Sequence, residues 1–233
     1  MFDPQKLLEQ FLGGSAPGPD GKARSGVSPD FVKGLATGGV AGGLAGVLLG
    51  GKSSKKLAKG ALKLGGTAAL AGLAYKAYTH WQASRGGAAT APEPAMKDIT
   101  PAPEGTGFLP AAAPQRERMS LAILSAMIAA AKADGHIDAE EQRQIFGKLD
   151  ELDLGTAEKA FVIDELRKPL DIDAVVKSAV TPELAVEIYA ASCLAIDPDD
   201  PAEQAYLAML ASRLKLDPGL KAAVETEARK AVA

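Results

Sequence analysis

The sequence predicts an all-α protein, and three observations carry that prediction. Apolar residues recur at helical spacing through residues 117–233, and no stretch there alternates apolar and polar residues as a half-buried strand would. Acidic residues also stand three positions after cap residues, the spacing that opens helices. The expected architecture is a set of Gly-rich, membrane-associated helical segments, a Pro/Ala-rich linker and a compact bundle of six to seven helices. Four regions are assigned: a short amphipathic helix over 1–14, a glycine-zipper membrane segment with a basic loop over 31–81, a disordered linker over 82–116, and an acidic helical domain over 117–233.

Charge supports that division. Residues 1–116 carry 13 Lys/Arg against 7 Asp/Glu, a net +6, whereas 117–233 carry 13 against 22, a net −9, which together give the −3 of the whole chain. A single Cys excludes an internal disulfide framework and a Cys-based zinc site, and two His are few for a metal cluster.

At the start, Asp3 followed by Pro4 reads as a helix cap and first-turn residue, and Leu7, Leu8, Phe11 and Leu12 form one apolar stripe that Gly13–Gly14 ends. The basic-then-apolar order of a cleavable signal peptide is missing, so cleaved secretion is not expected. Residues 15–28 are Gly/Pro/Ser-rich and are left without structure.

Residues 34–51 contain no charge, and Gly34, Gly38, Gly42, Gly46 and Gly50 recur at every fourth position. In water, glycine destabilises a helix by about 1 kcal/mol relative to alanine. In a bilayer the cost of unpaired backbone forces the helix, and a glycine ridge lets a second helix approach closely. This segment is therefore expected to span the membrane and to self-associate. Lys52, Lys55, Lys56, Lys59 and Lys63 follow it at once and suit an anionic cytoplasmic leaflet. A second apolar piece, 64–75, is too short to span alone and is expected in or on the interface, with Tyr78 and Trp81 as anchors. A single span leaves the acidic domain in the cytoplasm; a hairpin would place it outside. Nucleic acid is not expected as a partner, because no stacking platform accompanies the lysines.

The acidic domain opens with a helix apolar on most sides, at Leu121, Leu124, Met127, Ile128 and Ala131, as a central helix is. A second stripe runs through Leu184, Ala185, Ile188, Tyr189, Ser192, Cys193 and Ile196. Two loop-to-helix junctions share a pattern: Asp138 with Glu141, and Asp200 with Glu203, each a capping-box pair, 62 residues apart. At the same offset Ile145 matches Leu207 and Leu154 matches Leu216, which makes an internal duplication plausible. Asp134, Asp138 and Glu141 on one loop, and Asp197, Asp199, Asp200 and Glu203 on the other, form a candidate metal site with His136 as an additional ligand. Oxygen donors at this density suit Ca²⁺ or Mg²⁺ better than zinc. The competing reading is that these acids only cap helices and complement their dipoles.

The run AKADGHIDAEE, followed by SCLAIDPDDPAEQAYLAML, resembles the TerB-like domain of tellurite-resistance proteins. With the Gly-rich segment and lysines upstream, the chain is similar to the YebE-type family of bacterial inner-membrane proteins. The resemblance implies an all-helical fold, an acidic cluster that binds metal or a partner, and a role in envelope or metal stress.

Catalysis is not expected. Cys193 lies on an apolar stripe without a base, His80 stands among Tyr78 and Trp81, and no phosphate loop, dinucleotide fingerprint, serine elbow or zinc-protease motif occurs. The sequence therefore reads as a membrane-tethered sensor or adaptor, with a membrane-organising glycine-zipper oligomer as the alternative.

Overall fold

In a computed structural model, the described residues are 2–12, 67–85, 102–133, 143, 145–147, 149, 154–196 and 200–232. They are helical, with no strand among them beyond one isolated bridge between Thr106 and Leu109. The helices are α1 (Pro4–Phe11), α2 (Thr67–Arg85), α3 (Ala113–Ala130), α4 (Thr156–Arg167), α5 (Ile172–Ser178), α6 (Pro182–Leu194), α7 (Pro201–Arg213) and α8 (Pro218–Val232).

The caps explain where several helices begin. Asp3 accepts hydrogen bonds from the N–H groups of Gln5 and Lys6, both at 3.0 Å, with Pro4 in the first turn of α1. Asp171 accepts from Ala174 N–H to open α5, and Thr181 from Leu184 N–H to open α6. At the end of α7, Lys215 takes a left-handed φ of 55° while Leu216 N–H reaches Ala211 O at 3.1 Å. That closes the helix in a Schellman turn, at a position that glycine would fill without strain.

Two helices form the centre. α6 is buried on nearly every side from Leu184 to Leu194, and α3 buries Ile123, Leu124, Ala126, Met127, Ile128 and Ala130. α1, α4, α5 and α6 pack around α3, whereas α2, α8, α7 and α3 pack around α6. Ile145 and Leu149 are also buried in this core.

The amino-terminal helices belong to the bundle, which changes the expected division of the chain. The stripe Leu7, Leu8, Phe11 and Leu12 is covered by protein, with the first three at most 1% exposed. Each such side chain stabilises the fold by about 1.5–3 kcal/mol relative to an exposed one. Asp3 N–H donates to Glu158 Oε1 at 2.7 Å, and Phe2 packs on Phe161, so α1 is also tied to α4. In α2, Leu70, Leu73, Ala74 and Ala77 are buried against α6 and α8. The apolar piece 64–75, expected at a lipid interface, thus turns its described residues to other helices.

Trp81, expected as an interfacial anchor, faces protein. Its Nε1–H donates to Asp217 Oδ1 at 2.9 Å, and Arg85 lies 5.0 Å over its ring. Lys76 pairs with Glu227 at 2.9 Å along the same α2–α8 seam. The expected linker over 82–116 also needs correction. Residues 82–85 complete α2, a tight turn over 102–112 buries Phe108 against Tyr75 and Tyr78, and α3 starts at Ala113. The boundary placed at 116/117 therefore falls inside a helix. Pro114 in the first turn of α3 is a helix starter there, and Arg116 stabilises the turn by donating to the carbonyls of Pro110 and Ala111.

Among the described residues no helix is long and apolar enough to cross a membrane. The glycine segment with Gly34, Gly38, Gly42, Gly46 and Gly50, and the lysines Lys52, Lys55, Lys56, Lys59 and Lys63, lie outside the described residues.

Candidate functional site: an open groove along α3

One side of α3 is left partly uncovered by the described residues. The stretch from Gln115 to Lys132, along α3 and just past its end, faces a groove of about 1040 Å³ whose other walls are the end of α4, α5, the 105–112 turn and the start of α6. At 1.5 Å per residue that stretch of α3 is about 25 Å long. Short side chains make up part of its floor, Ala122, Ser125 and Ala129 from α3 and Ala174 and Ser178 from α5, beside the larger Met119, Leu121 and Val175. Small residues at three- and four-residue spacing let a second backbone come close. Leu170 and Val180, at opposite ends of α5, stand on the wall and are 40% and 79% exposed.

The charged groups at the groove are mostly engaged by the protein itself. Lys132 Nζ donates to the backbone carbonyls of Glu165 and Lys168, where α4 ends. Burial pulls its ammonium below the ordinary lysine range, with Glu165 working against that and Lys168 adding to it. Lys168 pairs with Glu165, Asp171 is spent on the α5 cap, and Arg118 is exposed at the rim. The groove is therefore a largely apolar channel whose charged groups, Arg118 apart, are held by the protein itself.

The residues expected from sequence are placed as follows. Asp134, His136, Asp138, Glu141, Asp197 and Asp199 lie outside the described residues. Asp200 caps α7, accepting from the N–H groups of Ala202 at 2.8 Å and Glu203 at 3.1 Å, and Glu203 stands in the first turn. Among the described residues no group of three or more His, Cys, Asp or Glu is placed to hold a metal ion. His80 is exposed near the end of α2. The Cys193 thiol is pushed up to about 12, by burial first and then by the Glu225 carboxylate, which leaves it a weak nucleophile. Tyr189 beside it donates to Glu225 Oε1 at 2.8 Å, and Lys221 neutralises that carboxylate at 2.7 Å.

Two features of the structure go beyond the sequence expectations. The groove had a signal in the Ala122, Ser125 and Ala129 spacing, and Glu187 had one as an acid inside the apolar stripe of α6.

Residues 34–228 match a family of proteins of unknown function, DUF533. The chain belongs to the DUF533 family. This is a TerB-like family, so the part of the resemblance carried by residues 117–233 holds. A relative from Yersinia enterocolitica, described as an uncharacterized protein in the ampR 5′ region, is 30% identical over 108 residues, covering 46% of this chain and 78% of the relative. No solved structure matches the DUF533 chain.

Proposed function

We propose that this DUF533 protein is a non-enzymatic adaptor, tethered to the bacterial inner membrane by residues 34–51 and their lysines, whose helical bundle receives an amphipathic helix of a protein partner. The observation that carries the reading is the groove along α3. It matches the helix-in-groove mode of recognition, in which one apolar helical face lies in an elongated channel. Its length of about 25 Å accommodates a helix of four to five turns. Leu170 and Val180 are apolar anchors already displayed, and the short floor residues leave space for the partner's own large side chains. With the Cys193 thiol half-buried and raised in pKa, acids spent on helix caps and Lys132 spent on carbonyls, the local chemistry supports binding.

The tether draws on the charge-free glycine segment and on the similarity to YebE-type inner-membrane proteins. With one span, the bundle sits on the cytoplasmic side, where a stress-linked partner would dock. The test places a photoreactive amino acid at Ser125 in the full chain, expressed in cells, followed by a carbonate wash of the membranes. The adaptor reading expects a discrete cross-linked product in the washed pellet, lost when Ala129→Trp fills the channel. Chain recovered wholly in the supernatant, or a product indifferent to Ala129→Trp, overturns it.

A further inference from the structure

On the other side of α3, a smaller cavity of about 200 Å³ lies among α1, α2, α3, α6 and the 108–110 turn. Glu187 from α6 and Glu9 from α1 both line it, and Gln5, Thr67 and Ser120 add further oxygen atoms. Glu187 is only 1% exposed, and its Oε2 has no hydrogen-bond partner. Burial raises its carboxyl well above the ordinary range, and Glu183 adds to the rise; Glu9 is raised by burial and then by Asp3. Among the described residues no cation offsets the rise of either group. Arg116 borders the cavity, yet its guanidinium is turned to the Pro110 and Ala111 carbonyls, at 3.0 and 2.6 Å.

A buried carboxyl without a partner must keep its proton or gain a positive ligand. The cavity has room for a ligand with its water, about six molecules at roughly 30 Å³ each. The polar donors around it are oxygens from two carboxyls, an amide and two hydroxyls, with no His or Cys among them, and such a set selects hard cations over zinc or copper. Two carboxylates are too few for a closed cage such as calcium prefers. Magnesium, in contrast, is commonly held by one or two carboxylates and retains several waters.

We propose that this cavity binds a hydrated divalent cation of the magnesium class, with Glu187 and Glu9 as its carboxylate ligands. The ion joins α1 to α6 and so couples docking of the amino-terminal helix to the centre of the bundle. The proposed ligand set includes no residue of the two acidic loops at 134–141 and 197–203.

The experiment is a calorimetric titration of the full chain, stripped of metal with a chelator, using magnesium and then manganese chloride. One binding event is expected that Glu187→Gln abolishes and Glu9→Gln weakens at least tenfold, while an Asp138→Asn, Glu141→Gln double variant leaves it in place. Thermal melts in chelator accompany each variant, and a rise in melting temperature with magnesium is expected only where Glu187 is present. If Glu187→Gln fails to fold, Glu9→Gln decides, because Glu9 is half-buried and tolerates an amide. Binding retained in folded Glu187→Gln, or an affinity in Glu9→Gln less than tenfold below that of the unmodified chain, overturns the site, as does the absence of heat and of a melting shift with both metals.

Discussion

The two sides of α3 differ in what covers them, though the helix is nearly uniform in composition. On one side α1 lays Leu7, Leu8 and Phe11 into the bundle, and a carboxyl-lined cavity remains behind it. On the other side the short α5 is the described helix that arrives, and Ala122, Ser125 and Ala129 line an open channel beside it. The difference teaches that burial of one helix face reflects the neighbour available as much as the helix's own residues. Large side chains supplied by α1 close the first side, and α5, only seven residues long, is too short to close the second.

The largest expected effect contrasts the two sides directly. Leu7→Ala or Phe11→Ala is expected to cost about 2–5 kcal/mol of unfolding free energy, since each leaves a cavity among packed groups. Leu170→Ala on the open wall is expected to change stability by less than about 0.5 kcal/mol. Denaturant melts of the full-length variants check both values, and equal losses on the two sides would break the comparison.

The next effect is acid sensitivity of the α2–α8 seam. Burial pushes Glu227 up, but hydrogen bonds from Lys76 and Lys230 outweigh it and hold the carboxyl below its ordinary value. Asp217 is lowered first by the Trp81 donor and then by Gly219 N–H. Carboxyls depressed in the folded state contribute stability at neutral pH that is lost as pH falls below the ordinary carboxylate range and through their lower folded values. Trp81 is the only tryptophan, so its emission should shift red over that acid range, and Lys76→Met should bring the onset to higher pH. An emission spectrum constant down to about pH 2.5 would contradict the seam.

Two smaller changes probe α7, which packs on α3 and α5 and is linked to α5 by the Arg213–Asp173 pair. Asp200→Ala removes the α7 cap and should cost about 1 kcal/mol in a denaturant melt. Lys215→Gly relieves the left-handed residue after α7 and should stabilise by roughly 0.5–1 kcal/mol in the same measurement.

Some of this was legible in the residues. α1 was readable because an Asp–Pro start and a four-residue apolar stripe leave one face and one cap for a short helix. The Asp200 cap was readable for the same local reason. α2 was misread, because Leu70, Leu73, Ala74 and Ala77 have the same hydrophobicity whether lipid or another helix covers them. Phe108 was lost in a proline-rich stretch, where one aromatic residue among turn formers carries no period. The groove was the least legible feature. It arises from the relative placement of α3 and α5, and small residues on a helix mark closeness to something without naming it. Glu187 broke the apolar stripe of α6 visibly, but only the packing of α1 shows that the carboxyl has nowhere to go.

The most direct test of the central claim, that the channel along α3 is a docking site for a partner helix, is cysteine accessibility. In a Cys193→Ala background, Ser125→Cys and Met209→Cys are labelled with a maleimide, in the purified full chain and in native membranes. Met209 is 47% exposed on α7 and lies outside the channel. Both positions should label in the purified chain, and in membranes the label at 125 should fall severalfold while that at 209 is unchanged. Equal labelling at 125 in the two settings would contradict the account.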